Sequence, residues 1–537
     1  MGAQPTGADG AHRCDRWAAR RCRPDASEGR RTVSSGSGGA PDVLIVGGGP
    51  VGLFAAALLD GAGVKVTVLE QHAGPSEHSK GATVHPRTLE VLSALRACDG
   101  RGLGDVLAAQ GRTITGAHFA LLPSLLDYSA LPTRYPYVLM VPQTRTEGLL
   151  LEHLRSRGVP VRYGHRVERV EQDHDSVRVR VRVRGEGAVH EARYLIGADG
   201  THSTVRRQAG IAFPGTAPSL ITFVADVRLG APPPRPVHHW DVRSGTLSVL
   251  PLPGGLHRLF GAQPCDTGLS PAKVRAVQDA ELTGRDLRRS MRRIAGTDFA
   301  LREIVWRSRV TDTTHTAERL RSGRVFLAGD AAHTQFPAGG QGLNVGLQDA
   351  ANLAWKLAAE CNGIAPPNIL AEQASYHEER HPVAQALAHN TLAQSALMYT
   401  FSPAGAALRG LMSDLITQEE SAARRLAGWV SGLDVRYPAP PDAHPLVGSR
   451  LQDPHLLDRL RPGRFLLALR DGTSELWSSV SLPDTLLLPE HASGAFGASA
   501  ALVRPDGHVA EAWDHLPDDR TIGEALLRWT YAMPARC

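Results

Sequence analysis

Three places in this chain put glycine or aspartate at the tip of a short apolar run, where a protein can offer bare backbone and carboxylates to a polar ligand. The first is Gly47, Gly49 and Gly52, with Glu70 further on. That spacing suits a pyrophosphate: it allows a sharp turn, an approach with no Cβ in the way, and close packing of helix on strand. Glu70 ends a second apolar run, where a carboxylate accepts hydrogen bonds from ribose hydroxyls. The second place is Asp199-Gly200. The third is Gly329-Asp330, with Pro337 to Gly342 behind it. Asp330 suits polyol hydroxyls. The glycine loop suits a flat, electron-accepting ring, since helix N-terminal amides stabilise negative charge that develops there.

The elements that must position these residues follow from the flanking pattern. Asp42 to Val46 is an apolar, β-branched run of the kind buried on both faces of a parallel sheet. A helix opens near Pro50, which wastes no donor in a first turn, and Lys65 to Leu69 returns as a strand. Tyr194 to Ala198 is a further strand, delivering Asp199 before a helix that opens at Ser203. Val325 to Ala328 repeats the grammar ahead of a long helix from Gly342 to Glu360. Together these runs predict an α/β fold with a Rossmann-like dinucleotide domain and a flavin-compatible loop.

Other segments read less directly. Lys80 and Arg87, at the start of a helix beginning near Pro86, either lie over cofactor phosphates or are two solvated cations. Gln143, beside Pro142 and ahead of an amphipathic helix from Thr146 to Arg157, is a candidate polar contact. Residues 161–200 predict a hairpin about Gly185-Glu186-Gly187, with Arg178, Arg180, Arg182 and Arg184 on one solvated face. From Phe213 to Arg309 the pieces are longer, Pro-rich and strand-like, predicting a mostly antiparallel lobe crossed by one helix from Pro271 to Ile294. A lobe beside a nucleotide domain is where a ligand cavity belongs. A helical stretch from Ala384 to Gly432 leads to the Pro-rich start of a last unit that ends in a helix, Ile522 to Tyr531.

Composition narrows the class. The 537 residues, 42% hydrophobic, suit two to four domains with a large core. Six scattered cysteines form no CxxC pair and no metal-ligand spacing, which predicts a reducing, cytoplasmic setting and no metal. Residues 1–40 are Arg-rich and poor in apolar side chains, predicting a disordered extension; no apolar segment follows their Arg pairs, so export is not expected. The net charge of +5 falls largely on this arm, so nucleic acid is not an implied partner. No run of eighteen apolar residues occurs, so no membrane span is expected.

The motifs GGGPVG with Glu70, GADG at 197–200 and AGDAAH…PAGGQGLN at 328–344 resemble those of the FAD-dependent aromatic hydroxylases related to para-hydroxybenzoate hydroxylase. VPQTRTE, FPGT, QDAANLAWKL and YHEERHP are similar to the aromatic polyketide hydroxylases and rifampicin monooxygenases. The resemblance implies FAD held by Gly47, Gly49, Val51, Gly52, Glu70, Gln71, Lys80, Gln143, Val167, Asp199 and Asp330, with Pro337, Gly342, Leu343 and Asn344 at the ring. Lys80 stands where that family has arginine, losing a bidentate fork. The family's reaction follows: NADPH or NADH reduces the flavin, and a flavin hydroperoxide passes one oxygen of dioxygen to a polycyclic aromatic or quinone. Baeyer–Villiger oxidation, antibiotic inactivation, and a redox-dead protein that only binds an aromatic ligand are the alternatives. No side chain declares itself as the catalytic acid or base, and His333 reads as a histidine that supports its loop. By the same resemblance, residues 41–115, 139–212 and 311–400 form the FAD domain and 116–138 with 213–310 the substrate lobe. Residues 401–440 connect to a thioredoxin-like domain, 441–537, whose expected role, lacking CxxC, is packing or homodimer contact.

Overall fold

The strand Val43–Val46, buried along its whole length, lies inside a six-stranded sheet and decides where everything else packs. The computed structural model describes residues 40–77, 81–234, 237–366, 369–370, 375–470, 487–492 (backbone only) and 496–529. Residues 41–537 form one compact unit. The expected disordered arm, up to residue 39, lies outside the described residues, as does Lys80.

The sheet order is Arg321–Ser322, Val325–Leu327, Tyr194–Gly197, Val43–Val46, Val66–Leu69 and Val161–Arg162, parallel apart from the first, edge strand. Helix Pro50–Gly61 makes the crossover between Val43–Val46 and Val66–Leu69, and packs against the long helix Gln341–Cys361. Both are buried over most of their surface, as expected of helices between a sheet and further layers.

Residues 165–192 form a three-stranded meander, His165–Gln172, Val177–Val183 and Glu186–Ala192, rather than a hairpin alone. Its inward valines join the core of the main sheet. The turn falls at Arg184 and Gly185, which have positive φ of 51° and 91°. Arg184 is therefore a turn residue, and Gly187 is paired with Arg182. Only Arg178, Arg180 and Arg182 share the outer face, ion-paired with Asp173, Glu171 and Glu168.

The second lobe is a five-stranded antiparallel sheet in the order His238–Val242, Gly245–Leu252, Leu256–Ala262, Ile221–Leu229, Leu301–Thr311. The single helix expected over Pro271 to Ile294 is two, Pro271–Asp279 and Gly284–Ala295. Thr283 and Asp286 form a reciprocal capping box, so a new helix begins there and the chain can turn to lay Leu287, Met291 and Ile294 on the sheet.

Three helices follow, Tyr376–Met398, Pro403–Gln418 and Glu420–Ser431; the first starts ahead of the expected Ala384 and contains Pro382. The chain then builds a four-stranded sheet, Leu487–Ala492, Phe465–Arg470, Ala500–Val503, Val509–Trp513, its first pair parallel and the others antiparallel. Helix Asp519–Trp529 closes it. Phe465, Leu467, Ala500 and Ile522 share the core of the nucleotide-binding sheet, so this last unit is packed onto it. Among the described residues no helix is long and apolar enough to cross a membrane.

Candidate functional site

The glycines of the first motif do different work. Gly47 has φ +117°, and a Cβ there would overlap the Ala198 carbonyl; a Cβ on Gly52 would overlap the Gly47 carbonyl. Packing alone demands these two. A Cβ on Gly49 would meet nothing within 4 Å, which leaves a cradle open to a ligand. Gly49 starts helix Pro50–Gly61 with no side-chain cap, so the first amides are available to an anion. Val51 lies where the motifs converge: a Cβ on Gly329 would come within 3.0 Å of it and one on Gly346 within 2.8 Å.

Glu70 sits at the tip of Val66–Leu69. One carboxylate oxygen accepts from the Gly48 amide at 2.7 Å and the other from the His72 amide at 2.8 Å. The neighbouring Gln71 is exposed. Asp330 is exposed on the short turn Gly329–Ala331. Behind it, His333 Nε2 lies 2.7 Å from Asp349, whose other oxygen accepts from Arg380 at 2.7 Å, all three side chains at most 1% exposed. Burial opposes the charge on His333, but the Asp349 carboxylate prevails and raises its pKa above the ordinary value. His333 is thus a loop support, locking the turn that presents Asp330.

The glycine loop is anchored by side chains. Gly340 has φ +66° and lies against Thr83, where a Cβ would overlap the hydroxyl. Asn344 donates to the carbonyls of Gly340 at 2.8 Å and Thr83 at 3.2 Å, and accepts from the His85 amide at 2.8 Å. Its side chain is spent on the loop, so what it can offer a ligand is backbone. Pro337 is exposed, and helix Gln341–Cys361 opens beside Gly342 without a side-chain cap. Leu343 and Gln143 converge on Gly81, whose amide donates to the Gln143 side-chain oxygen Oε1 at 3.2 Å. The other end of Gln143 donates to Glu147 at 2.8 Å.

Two further candidates have side chains engaged elsewhere, although the Asp199 amide adjoins Gly47. Asp199 spends its carboxylate capping the short helix Thr204–Gln208, accepting from the amides of Thr204 at 2.7 Å and Val205 at 3.1 Å and from the Ser203 hydroxyl. Val167 is 7% exposed, with its side chain in the main core. Arg87 requires a correction. It is 2% exposed, pairs with Glu90 at 3.0 Å and donates to the Asp506 carbonyl, so it joins the C-terminal unit to its helix and does not face a phosphate.

One residue that sequence reasoning missed is His85. Its Nε2 lies 2.8 Å from the Gly339 carbonyl, and burial holds it neutral with a pKa of about 4. Its position just before Pro86, at a helix start, signals a cap more than a loop contact.

A dinucleotide therefore has an open glycine cradle, two uncapped helix starts and carboxylates at two strand tips, the features of an FAD-binding scaffold. Residues 40–391 match the FAD binding domain family, FAD_binding_3, and the chain belongs to it. It is 40% identical over 516 residues to the uncharacterized aromatic compound monooxygenase YhjG of Bacillus subtilis (strain 168), covering 91% of this chain and 98% of that one. It is 38% identical over 505 residues to the rifampicin monooxygenase of Streptomyces venezuelae, covering 92% and 99%. Its fold matches the OxyS anhydrotetracycline hydroxylase from Streptomyces rimosus with a TM-score of 0.79 and 36% identity, over 92% of this chain and 100% of that one. The protein is an FAD-dependent monooxygenase.

Proposed function

We propose that the protein inserts one atom of dioxygen into a polycyclic aromatic or quinone substrate of the polyketide type, with NADPH or NADH as reductant. The observation that carries this is a shared apolar cluster: Phe336 and Ala338, at the glycine loop, pack with Ala262 of the antiparallel sheet, with Leu220 just before strand Ile221–Leu229, and with Tyr399. A large apolar substrate held there would lie between sheet and loop. The named substrates of the relatives, rifampicin and anhydrotetracycline, support the same class.

When bound, FAD would supply the redox chemistry, with the nicotinamide as the two-electron source and dioxygen as the source of the inserted oxygen, its other atom leaving as water. The chain's own work is positioning. Gly49 and the amides after it would hold the pyrophosphate, Glu70 the ribose, Asp330 the ribityl hydroxyls, and the amides of Leu343 and Asn344 the ring. Phe336 and Tyr399 exclude water from the reacting face. Among the described residues the sheet carries one glycine turn of this type, so the reductant binds without a second Rossmann unit.

The last sheet has the strand order second, first, third, fourth, which supports a thioredoxin-like unit. Its role is packing or homodimer contact, and a cytoplasmic setting suits the free Cys98, Cys265 and Cys361.

Acid treatment of the purified protein should release FAD, and NADPH oxidation should accelerate with a phenolic polycycle, giving a product heavier by one oxygen. Recovery of FMN, or turnover without oxygen transfer, would overturn the reading. Hydroxylation and ring-oxygen insertion then separate by structural assignment of the product.

A further inference from the structure

The five-stranded sheet has two unlike faces. Leu247, Val249 and Trp240 pack toward helix Gly284–Ala295. Strand alternation turns Thr246, Ser248 and His239 to the opposite face, with Phe260 in register beside Ser248. Phe260 lies 6.0 Å from Phe336 of the glycine loop, and Tyr399 stands edge-on to Phe336 at 5.6 Å. This face therefore borders the place assigned above to the substrate.

Polar atoms gather there without partners. The Thr246 and Tyr399 hydroxyls, His239 Nε2 and His118 Nδ1 are buried and find no hydrogen-bond partner among the described residues. Thr246 is 1% exposed and Tyr399 7%. Burying a polar group unpaired is costly, and most buried polar atoms in folded proteins are paired, so four on or beside one sheet face point to a ligand.

Arg409 draws these groups together. It donates to the carbonyls of Ala120 at 3.1 Å, Leu121 at 2.9 Å and Leu397 at 2.7 Å, and pairs with Asp241 at 2.6 Å. It thereby ties the segment carrying His118 to the ends of the elements carrying Tyr399 and His239. Its charge is met by Asp241, as that of Arg258 on the same face is met by Asp226. The four groups themselves are neutral. Burial, with help from His118 and Arg409, holds His239 at about 3; burial lowers His118 and raises Tyr399 well above its usual range.

We infer that Tyr399, Thr246, His239 and His118 form the subsite for the oxygen substituents of an uncharged, polyoxygenated aromatic substrate, binding phenol and quinone oxygens and disfavouring a carboxylate. The inference rests on the monooxygenase reading and names the substrate class for that site. The Ser248 hydroxyl, 3.0 Å from His239 Nδ1, orients the imidazole so that Nε2 is the atom left for the ligand.

The test uses the full-length holoenzyme, buffered below the first phenol pKa of alizarin so that this probe is uncharged, with alizarin, anthracene and anthraquinone carboxylate as probes and binding read from the flavin fluorescence. Alizarin should bind most tightly. Tyr399→Phe and Thr246→Val should each weaken alizarin about threefold to tenfold, leave anthracene binding unchanged, keep full FAD content, and melt no lower than the parent, since each removes an unpaired hydroxyl. Equal affinity for alizarin in parent and variants, preference for the carboxylate, or a melting temperature lowered by either substitution would overturn the subsite. If the parent retains FAD and NADPH-driven oxygen transfer while alizarin binds no better than anthracene, the subsite fails and the monooxygenase reading stands. Absence of FAD and of oxygen transfer sinks that reading first.

Discussion

Gly49 and Gly52 look alike in sequence, yet the structure leaves open space beside the first and closes backbone over the second. In Gly49→Ala the methyl meets no protein atom within 4 Å, so the variant should fold but lose FAD on dialysis, because the methyl occupies the pyrophosphate's place. In Gly52→Ala the methyl overlaps the Gly47 carbonyl, so soluble protein should drop sharply. FAD retention equal to the parent in Gly49→Ala would move the pyrophosphate elsewhere. Asp330→Ala removes a carboxylate from an exposed turn whose Gly329 amide and His333 are both anchored on Asp349. A hydrogen bond to a charged group contributes roughly 1.5–3 kcal/mol, so FAD affinity should fall about tenfold to a hundredfold, with solubility intact and added FAD restoring activity. An unaltered FAD dissociation constant would remove Asp330 from the site. Glu70 differs, since its carboxylate also holds the Gly48 and His72 amides.

At the scale of elements, periodicity located most strands and helices, and the misses trace to local chemistry that periodicity does not weigh. The break before helix Gly284–Ala295 comes from the Thr283 and Asp286 box. Thr283→Ala should cost roughly 1 kcal/mol, seen as a lower urea midpoint with FAD content unchanged; no shift would mean that the helix start is held by packing. The meander turn falls one residue earlier than the glycine pattern suggested, because Arg184 takes a positive φ beside Gly185. That leaves Glu186 free to pair with Val183.

For the molecule as a whole, the C-terminal unit is tied to the nucleotide domain by buried charge. Arg504 bonds both oxygens of Glu379, at 2.7 and 2.9 Å, and pairs with Asp506 at 2.5 Å, while Lys356 of the long helix meets Glu379 at 2.6 Å. Burial opposes the charge on Glu379, but Arg504 and Lys356 prevail and hold it at about 2. Its folded pKa lies below the ordinary 4.5, so its contribution is present above that value and is lost as pH falls toward 2. Arg504→Met should cost about 3–5 kcal/mol at neutral pH by leaving two carboxylates underpaired, and should flatten the acid limb of the stability profile. Denaturant titrations across pH check both; an acid limb as steep as the parent's would show that Glu379 owes its low pKa to other groups.

The sequence by itself determined the glycine turn, the parallel sheet that carries it and the family, because strand, glycine turn and helix are contiguous and their requirements are local. It also placed His333 as a support. Only the tertiary structure decided which charges serve folding: Arg87 was legible as a cation near a phosphate, but its partners Glu90 and Asp506 include a residue from the far end of the chain. The same holds for His85 against Gly339, and for the cluster of Thr246, His239, His118 and Tyr399. These contacts join residues far apart in sequence, and no local pattern encodes which distant groups a folded core will bring within a hydrogen bond of one another.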